Sequence, residues 1–110
     1  MMSVHPWTEI SSEAFTEEAI RGLFPVSEGH RFFPNRYNAG VKFSGSLSRP
    51  GRVYVFEGGC TYHTEAGPVH VKAGEYADLL PGQYDFEVPV ESPVRLMKVY
   101  KLAELAGKAS

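Results

Sequence analysis

Two histidines on either side of a predicted turn are a pair whose types and spacing could do chemistry. In the segment YHTEAGPVHV, a loop EAGP would pair Thr64 with Val69 and His63 with His70. Side chains paired in this way across two strands have Cβ atoms ~5 Å apart. Two imidazoles at that distance could share a metal ion or respond to pH. A metal site needs further ligands and an orienting shell, so the pattern favours an exposed pair that binds metal only adventitiously.

Tyr76 and Asp78 share one face of a predicted strand, and Tyr62 and Thr64 are predicted to face inward on the neighbouring hairpin. A tyrosine and a carboxylate in a pocket could transfer a proton if their pKa values were shifted. The alternative is a packed tyrosine whose hydroxyl is satisfied by hydrogen bonding.

Two further side chains carry chemical groups of interest. Arg36 begins a predicted strand, and an arginine at the mouth of a barrel would suit a carboxylate or phosphate; a solvated charge at a strand edge is the alternative. Cys60 follows two glycines, and the sequence places no base or cation beside it to lower its pKa. We therefore expect a small, buried and unreactive thiol at this position.

The elements that must position these residues are mostly strands. A helix is expected over residues 11–25, capped by Ser11 or Ser12 and ended by Gly22 and Pro25. Beyond it, glycine and proline recur every eight to twelve residues between segments rich in Val, Tyr and Phe, which predicts an all-β sandwich or barrel. The predicted strands are Arg36–Phe43, Arg52–Glu57, Cys60–Thr64, Val69–Lys72, Tyr76–Leu80, Tyr84–Val88 and Val94–Leu102.

The strand RVYVFE is apolar on both faces, with Val53 and Val55 on one and Tyr54 and Phe56 on the other. Strands with a solvated face alternate instead, so something must cover the outer side of this one. The candidates are the N-terminal helix, the segment HRFFPNRY and a second subunit. A homodimer contact is favoured, because two-fold pairing is the commonest oligomer.

Composition limits the function classes. The chain of 110 residues has a net charge of −2 and no run of Lys or Arg, so nothing indicates a nucleic-acid partner. No apolar run approaches the ~20 residues of a membrane span, and the N-terminus does not resemble a secretion signal. A lone cysteine excludes an internal disulfide. We expect a soluble, cytoplasmic, single-domain protein spanning residues 1–110.

The segment from Arg52 to Leu102 resembles the cupin superfamily, the small barrels known as double-stranded β-helices or jelly rolls. The resemblance is carried, in order, by YVFEGG, a hairpin, VKAGEYADLLPGQYDF and a final strand. Cupins commonly read "YVLEG", a hairpin, "AGD", an apolar strand and "PxG". The resemblance implies a small all-β cupin barrel over residues 31–102, preceded by the short N-terminal helix.

The metal-binding cupin pattern is not kept. Counting back from Gly58, the positions of its two histidines and its glutamate hold Gly45, Leu47 and Gly51, which offer no donor. Its last histidine aligns with Asp85 or with Phe86, depending on the anchor chosen. The alternation Phe86, Val88, Val90 favours Phe86 inward and Asp85 outward, because an unpaired carboxylate inside the barrel is costly.

We therefore expect a barrel without a metal or other cofactor that binds a small organic ligand. The candidate pocket residues are Tyr62, Thr64, Tyr76, Asp78, Phe86 and Arg36. The alternative is an enzyme on the same barrel. The C-terminal half is similar to the small cupin-type pyrimidine/purine nucleoside phosphorylases, which implies phosphorolysis of nucleosides, and sugar isomerases or lyases are a further possibility on this fold.

Overall fold

Two antiparallel β-sheets form the protein. The computed structural model describes residues 3–24 and 29–101. One sheet has the strand order β1-β7-β4-β9-β2 and the other the order β3-β8-β5-β6. The strands are β1 Val4–Pro6, β2 His30–Tyr37, β3 Lys42–Leu47, β4 Gly51–Glu57, β5 Gly59–Thr64, β6 Gly67–Lys72, β7 Glu75–Leu79, β8 Gly82–Glu87 and β9 Val94–Lys101. The all-β prediction is confirmed.

The interior between the two sheets is built by the period-two alternation of the strands. Val53 and Val55 of β4 and Leu96 of β9 face inward from the five-stranded sheet, and each is fully buried. Tyr62 of β5 and Phe86 of β8 meet them from the four-stranded sheet. These apolar faces lie against each other, so the interior is a packed core along most of its length.

A second apolar cluster lies on the outer face of the five-stranded sheet. Tyr54 and Met97 project there and are fully buried beneath Trp7 and Ile20. The indole Nε1 of Trp7 donates a hydrogen bond to the carbonyl of Glu13 at 2.8 Å, which ties the covering segment together. The N-terminal part of the chain thus covers the outer side of β4, and this strand gives no reason to invoke a second subunit. The homodimer stays a prediction.

The helical segment is shorter than predicted. A 3-10 turn at Trp7–Glu9 is followed by irregular chain, and the helix α1 spans only Glu17–Leu23. Its N-cap is Thr16, whose Oγ1 accepts from the amide of Ala19 at 3.1 Å, so the prediction of a cap at Ser11 or Ser12 was wrong. The Ser11 hydroxyl instead accepts from the amide of Glu13. The predicted stop at Gly22 lies inside the helix, and Pro25 lies outside the described residues.

The predicted strand Arg36–Phe43 is in fact interrupted. β2 ends at Tyr37, and the chain turns before β3 begins at Lys42. Gly40 adopts a φ of +81° in this turn, and its amide donates to the carbonyl of Val88 at 3.1 Å. A left-handed backbone at this position ends the strand, because an extended ladder cannot pass through it. The predicted strand covered only the end of β2 and the beginning of β3, and no strand was predicted at β1.

The hairpin between β5 and β6 is tighter than predicted. Thr64 pairs with Gly67 rather than with Val69, and a turn of Glu65 and Ala66 joins the strands. The Thr64 hydroxyl accepts from the amide of Ala66 at 3.2 Å and donates to the carbonyl of Gly67 at 3.0 Å. Gly67 itself has a φ of +117°, a conformation that glycine adopts at little cost.

The new register corrects the predicted histidine pair. His63 lies opposite Pro68, and His70 lies opposite Thr61. Because the slip is by two residues, each side chain keeps its predicted face: Tyr62 is buried, and both histidines are exposed. Pro68 is tolerated in this ladder because β6 is an edge strand.

None of the helices in residues 3–24 and 29–101 has the length and apolar character that crossing a membrane requires.

Candidate functional site

The positions at which a metal-binding cupin would carry its ligands lie inside this barrel. Gly45 and Leu47 share the inner face of β3 with Phe43, which contacts the buried ring of Phe86. Gly51 shares the inner face of β4 with Val53. These three positions therefore point into the barrel, as metal ligands would. Glycine and leucine, however, offer no N, O or S donor in a side chain.

Two tyrosine rings fill the space that side chains at the two glycines would enter. A Cβ placed on Gly45 would lie 2.9 Å from both Cζ and Oη of Tyr84 on β8. A Cβ placed on Gly51 would lie 2.5 Å from Cδ1 of Tyr100 on β9. Either substitution would force a ring to move. The aromatic rings thus occupy the place of the ligands, and the residues present do not fit a metal ion.

At the position of the last histidine of the metal-binding pattern, an aromatic ring again faces the interior. Phe86 is 1% exposed and packs against Tyr62 with ring centroids 5.2 Å apart. Asp85 projects outward, where its Oδ1 accepts a hydrogen bond from the Ser44 hydroxyl at 2.6 Å. The predicted orientation of both side chains is confirmed. Within residues 3–24 and 29–101, no group of three His, Cys, Asp or Glu side chains converges as a metal site would require.

A cleft opens at the end of the barrel beside these rings. It has a volume of about 250 Å³ and lies between the hairpin turn after Thr64 and the 80–81 connection that joins β7 to β8. Leu47, Leu79, Tyr62 and Tyr84 line its walls. Two of the predicted pocket residues, Tyr62 and Thr64, therefore meet in one cavity, while Phe86 supports Tyr62 from behind.

Tyr62 lines this cleft, and its hydroxyl is a polar group closed off from solvent. Its Oη is buried and has no hydrogen-bond partner within the part of the chain that the structure describes. Burial raises the pKa of this phenol well above its usual value, and the neighbouring Cys60, Tyr84 and Tyr100 add to the shift. Tyr62 is therefore a neutral donor at physiological pH, and its hydrogen atom is not used by the protein.

Cys60 lies inward on the same strand and is 3% exposed. Burial raises the pKa of its thiol to about 12, although the positive charge of Lys98 acts in the opposite direction. A thiol with this pKa is protonated at neutral pH and is a poor nucleophile. This agrees with the expectation of a buried, unreactive cysteine.

Lys98 and the rings of Tyr84 and Tyr100 are interior groups that the sequence analysis missed. Lys98 faces inward on β9 between Leu96 and Tyr100 and is half-buried. The signal was present in the sequence, because VRLMKVYK is apolar on both faces and a lysine in such a strand has no solvated side to occupy.

Tyr76 and Asp78 are not in the cleft, and their assignment to the pocket is corrected. Both project from β7 toward the outer face of the five-stranded sheet, where Tyr76 belongs to the cluster around Trp7. The carboxylate of Asp78 accepts from Nε of Arg52 at 2.9 Å, and the same guanidinium lies 4.6 Å above the Tyr76 ring. The strand alternation places Ala77 and Leu79 inward instead.

Arg36 is also outside the cleft. It is exposed near the end of the edge strand β2, opposite Arg95 of β9. Arg95 shares the outer face of the sheet, so Arg36 does not reach the barrel interior. It is therefore a solvated strand-edge charge, the alternative that the sequence left open.

The two exposed histidines are held by different partners. Nε2 of His63 lies 2.8 Å from Oε1 of Glu87, and the hydroxyl of Thr61 lies 2.7 Å from Nδ1 of His70. The hydrogen bond from His63 is the main cause of the lowered pKa of Glu87, with help from Lys42. The predicted register required the two imidazoles to face each other across the hairpin, and in the structure they do not.

Comparison with known proteins identifies the architecture. No protein-family model and no curated protein sequence matches the chain. Solved structures do. A cupin protein from Bacteroides fragilis is 19% identical over 64% of this chain and 64% of its own, with a TM-score of 0.54. This chain has the cupin fold.

Two further cupin structures agree. The cupin domain of an XRE family transcriptional regulator from Enterobacter cloacae matches 89% of this chain and 93% of its own, with 10% identity and a TM-score of 0.57. A sugar phosphate isomerase of the cupin superfamily from Silicibacter pomeroyi is 18% identical over 64% of this chain, with a TM-score of 0.54, but only 49% of its own length is matched. The match also covers less than two-thirds of the Bacteroides protein. Identities this low establish the cupin fold alone, and the similarity to nucleoside phosphorylases stays a prediction.

Proposed function

We propose that this cupin-fold protein binds a small organic ligand in the cleft at the end of its barrel, without a metal ion. The observation that supports the proposal most directly is the unpartnered hydroxyl of Tyr62. A buried polar group without a partner costs roughly 1–3 kcal/mol, so an acceptor atom on a bound molecule would recover free energy that the empty cleft forgoes.

The size and lining of the cleft set the kind of ligand. At about 250 Å³ it is close to the lower end of the ~300–1,000 Å³ that small-molecule sites span. Leu47, Leu79 and the ring of Tyr84 offer apolar contact, and Thr64 adds a polar group at the rim. This arrangement suits a compact, mostly apolar molecule with a hydrogen-bond acceptor at one end.

The filled ligand positions support the metal-free part of the proposal. The ring of Tyr84 would have to move to admit a histidine at position 45, and the ring of Tyr100 would have to move to admit a glutamate at position 51. Chemistry that depends on a metal in the barrel therefore has no ligand set here.

An enzyme on the same barrel is the alternative. The interior groups able to exchange a proton are phenols, a thiol and a lysine. Burial raises the pKa of Cys60 and that of Tyr100 to about 12, and it also raises the pKa of Tyr62. A general base works best with a pKa near the operating pH, so the phenols and the thiol favour binding over proton abstraction, whereas burial lowers the pKa of Lys98.

A thermal-shift panel of nucleosides, sugars and carboxylates tests the proposal. A true ligand at 100 times its Kd should stabilise the protein by ~2.7 kcal/mol. Tyr62→Phe should weaken that ligand, whereas Tyr54→Phe is a matched control, because the Tyr54 hydroxyl lies on the outer face and contacts Arg52. If no compound raises the melting temperature, or if Tyr62→Phe binds as well as the native protein, the proposal is wrong.

A further inference from the structure

β3 is an edge strand with one open side. It lies at the end of the order β3-β8-β5-β6, so β8 is its only partner among the described strands. The amide of Val88 donates to the carbonyl of Val41 at 2.8 Å, and this pair continues the β3–β8 register. Antiparallel pairs alternate between bonded and non-bonded, so the backbone groups of Lys42, Ser44 and Ser46 point away from β8. Within residues 3–24 and 29–101, no backbone hydrogen bond reaches them on that side.

The other three sheet edges are protected in ways that β3 is not. β1 is only three residues long. Pro34 lies in the middle of β2 and Pro68 lies in β6, and neither has an amide hydrogen to offer to a further strand. Short edges and prolines are devices by which proteins prevent pairing between sheet edges. β3 has six residues and no proline, and its one charged residue, Lys42, stands at its beginning.

The sequence of β3 is complementary to itself about a two-fold axis at Ser44. In antiparallel pairing about this axis, Lys42 of one copy lies opposite Ser46 of the other. The outward amides of all three residues then donate to carbonyls of the other copy, and no like charges face each other. An axis at Phe43 or at Gly45 would instead place Ser46 or Lys42 beyond the end of the other β3.

The inner face of β3 matches in the same register. Phe43 is 36% exposed, although its ring packs against Phe86 with centroids 4.9 Å apart. About the axis at Ser44 it lies opposite Gly45 of the other copy, in a non-bonded pair, where side chains come closest. An aromatic ring opposite a glycine is a favourable pair in sheets, because the ring covers the bare backbone.

We propose that the open edge of β3 is a dimer interface, at which a second copy of this chain adds its own β3 about a two-fold axis at Ser44. The two four-stranded sheets then form one continuous sheet across the dimer. Its outer edges are the two β6 strands, where Pro68 stops further addition, so the assembly closes at two copies. This inference does not depend on the proposed function.

Proline at each edge of the four-stranded sheet tests the interface in the full-length chain. Ser44→Pro removes an amide that points away from β8, so the ladder within each chain is kept, as it is at Pro68. We expect the native protein to sediment with the mass of two chains. Ser44→Pro should raise the dimer dissociation constant about tenfold or more, because both hydrogen bonds of the pair at the axis are lost.

His70→Pro is the matched control on the opposite edge of the same sheet. The amide of Lys72, two residues further along β6, points away from β5 and donates to Oε1 of Glu75 at 3.0 Å. By alternation the amide of His70 also faces the open side of β6. The control therefore makes the same chemical change at an edge outside the interface, and the dimer dissociation constant should not change.

A charge placed on the axis gives an independent test. Ser44→Lys puts two ammonium groups opposite each other in the dimer, while within each chain the lysine lies beside Asp85. We expect the dimer to weaken about threefold at low salt and to recover at high salt, where the repulsion is screened. An equimolar mixture of Ser44→Lys and Ser44→Glu should dimerise more tightly than either variant alone, because opposite charges then meet at the axis.

Three results would overturn the inference. The first is a native protein that sediments as a single chain up to about 1 mM, even if a strand of another protein binds this edge. The second is a folded Ser44→Pro variant that dimerises as well as the native protein, or no better than His70→Pro, because the interface then lies on another surface. The third is a mixture of the two charged variants that dimerises no better than its components, and this result decides the question if Ser44→Pro does not fold.

Discussion

The ring of Tyr100 lies where a side chain at position 51 would project. A Cβ on Gly51 would come within 2.5 Å of Cδ1 of this ring, and within 3.1 Å of the carbonyl oxygen of Val99. The two residues are neighbours on adjacent strands β4 and β9, so the contact is part of the sheet itself. The metal-binding cupin pattern has a carboxylate at this place, and here such a side chain would have to displace the aromatic ring.

Gly51→Ala should therefore destabilise the protein. The new methyl group meets a ring on one side and backbone on the other, and overpacking of this kind costs typically ~1–3 kcal/mol. Gly22→Ala is the matched control: nothing lies within 4 Å of its Cβ, and alanine in a helix is favoured by roughly 0.5–1 kcal/mol. Urea denaturation measures both. Equal effects of the two substitutions would mean that Tyr100 does not fill the space beside Gly51.

Metal removal should leave the protein unchanged. Gly45, Leu47 and Gly51 supply no donor atoms, so treatment with a chelator should not alter the melting temperature or ligand binding. Elemental analysis of the purified protein measures the same property directly. Iron, nickel or zinc retained at one ion per chain after chelation would contradict the expectation.

Tyr62→Phe should be neutral or stabilising in the free protein. The substitution removes a buried hydroxyl that has no partner among the described residues, and relief of such a group contributes up to roughly 1–3 kcal/mol. Tyr54→Phe, by contrast, removes an acceptor for Nη1 of Arg52 at 3.3 Å and should cost about 1 kcal/mol. Chemical denaturation compares the two. A large loss of stability in Tyr62→Phe would reveal a partner for this hydroxyl.

The free energy of unfolding should fall as the pH rises into the alkaline range. The pKa values of Cys60 and Tyr100 are both raised to about 12 in the folded chain. In the unfolded chain these groups titrate near ~8.5 and ~10. The unfolded state thus loses its protons first, so the stabilisation is complete below those values and is lost as the pH approaches 12. Lys98, whose pKa is lowered, opposes the decline, because its burial penalty disappears as the amine becomes neutral.

Urea titrations at a series of pH values measure this decline, and Cys60→Ala should flatten its first part. Tyrosinate absorbance provides a separate check, since the phenol of Tyr100 should ionise only with unfolding or close to pH 12. Full ionisation of every tyrosine near pH ~10 in a protein that is still folded would contradict the burial of these rings.

Asp78→Asn should affect stability and leave ligand binding intact. The ion pair with Arg52 is partly exposed, so its loss should cost no more than about 1 kcal/mol. Because this pair lies on the outer face of the five-stranded sheet, the affinity of the cleft for its ligand should not change. A loss of affinity in this variant would place the ligand on the outer face and would restore the sequence-based assignment of Asp78 to the site.

The sequence by itself determined which face of β5 and of β8 turns inward, with Tyr62 and Phe86 on the buried side. Burying a carboxylate is costly, and that alone placed Phe86 inside and Asp85 outside. The doubly apolar strand around Tyr54 showed that its outer side had to be covered, and the order of the YVFEGG, hairpin and PG segments indicated the cupin fold. The inferences about strand faces depend on an alternation of period two, which is visible within a short stretch of chain.

Only the tertiary structure decided which residues meet. The hairpin register depended on a hydroxyl of Thr64 that closes a shorter turn than glycine and proline had suggested. Tyr76 was expected beside Tyr62, but the two project from different sheets toward different cores. The rings beside Gly45 and Gly51 come from strands distant in the chain. Contacts of this kind follow from how two sheets pack together, and a local pattern does not contain that information.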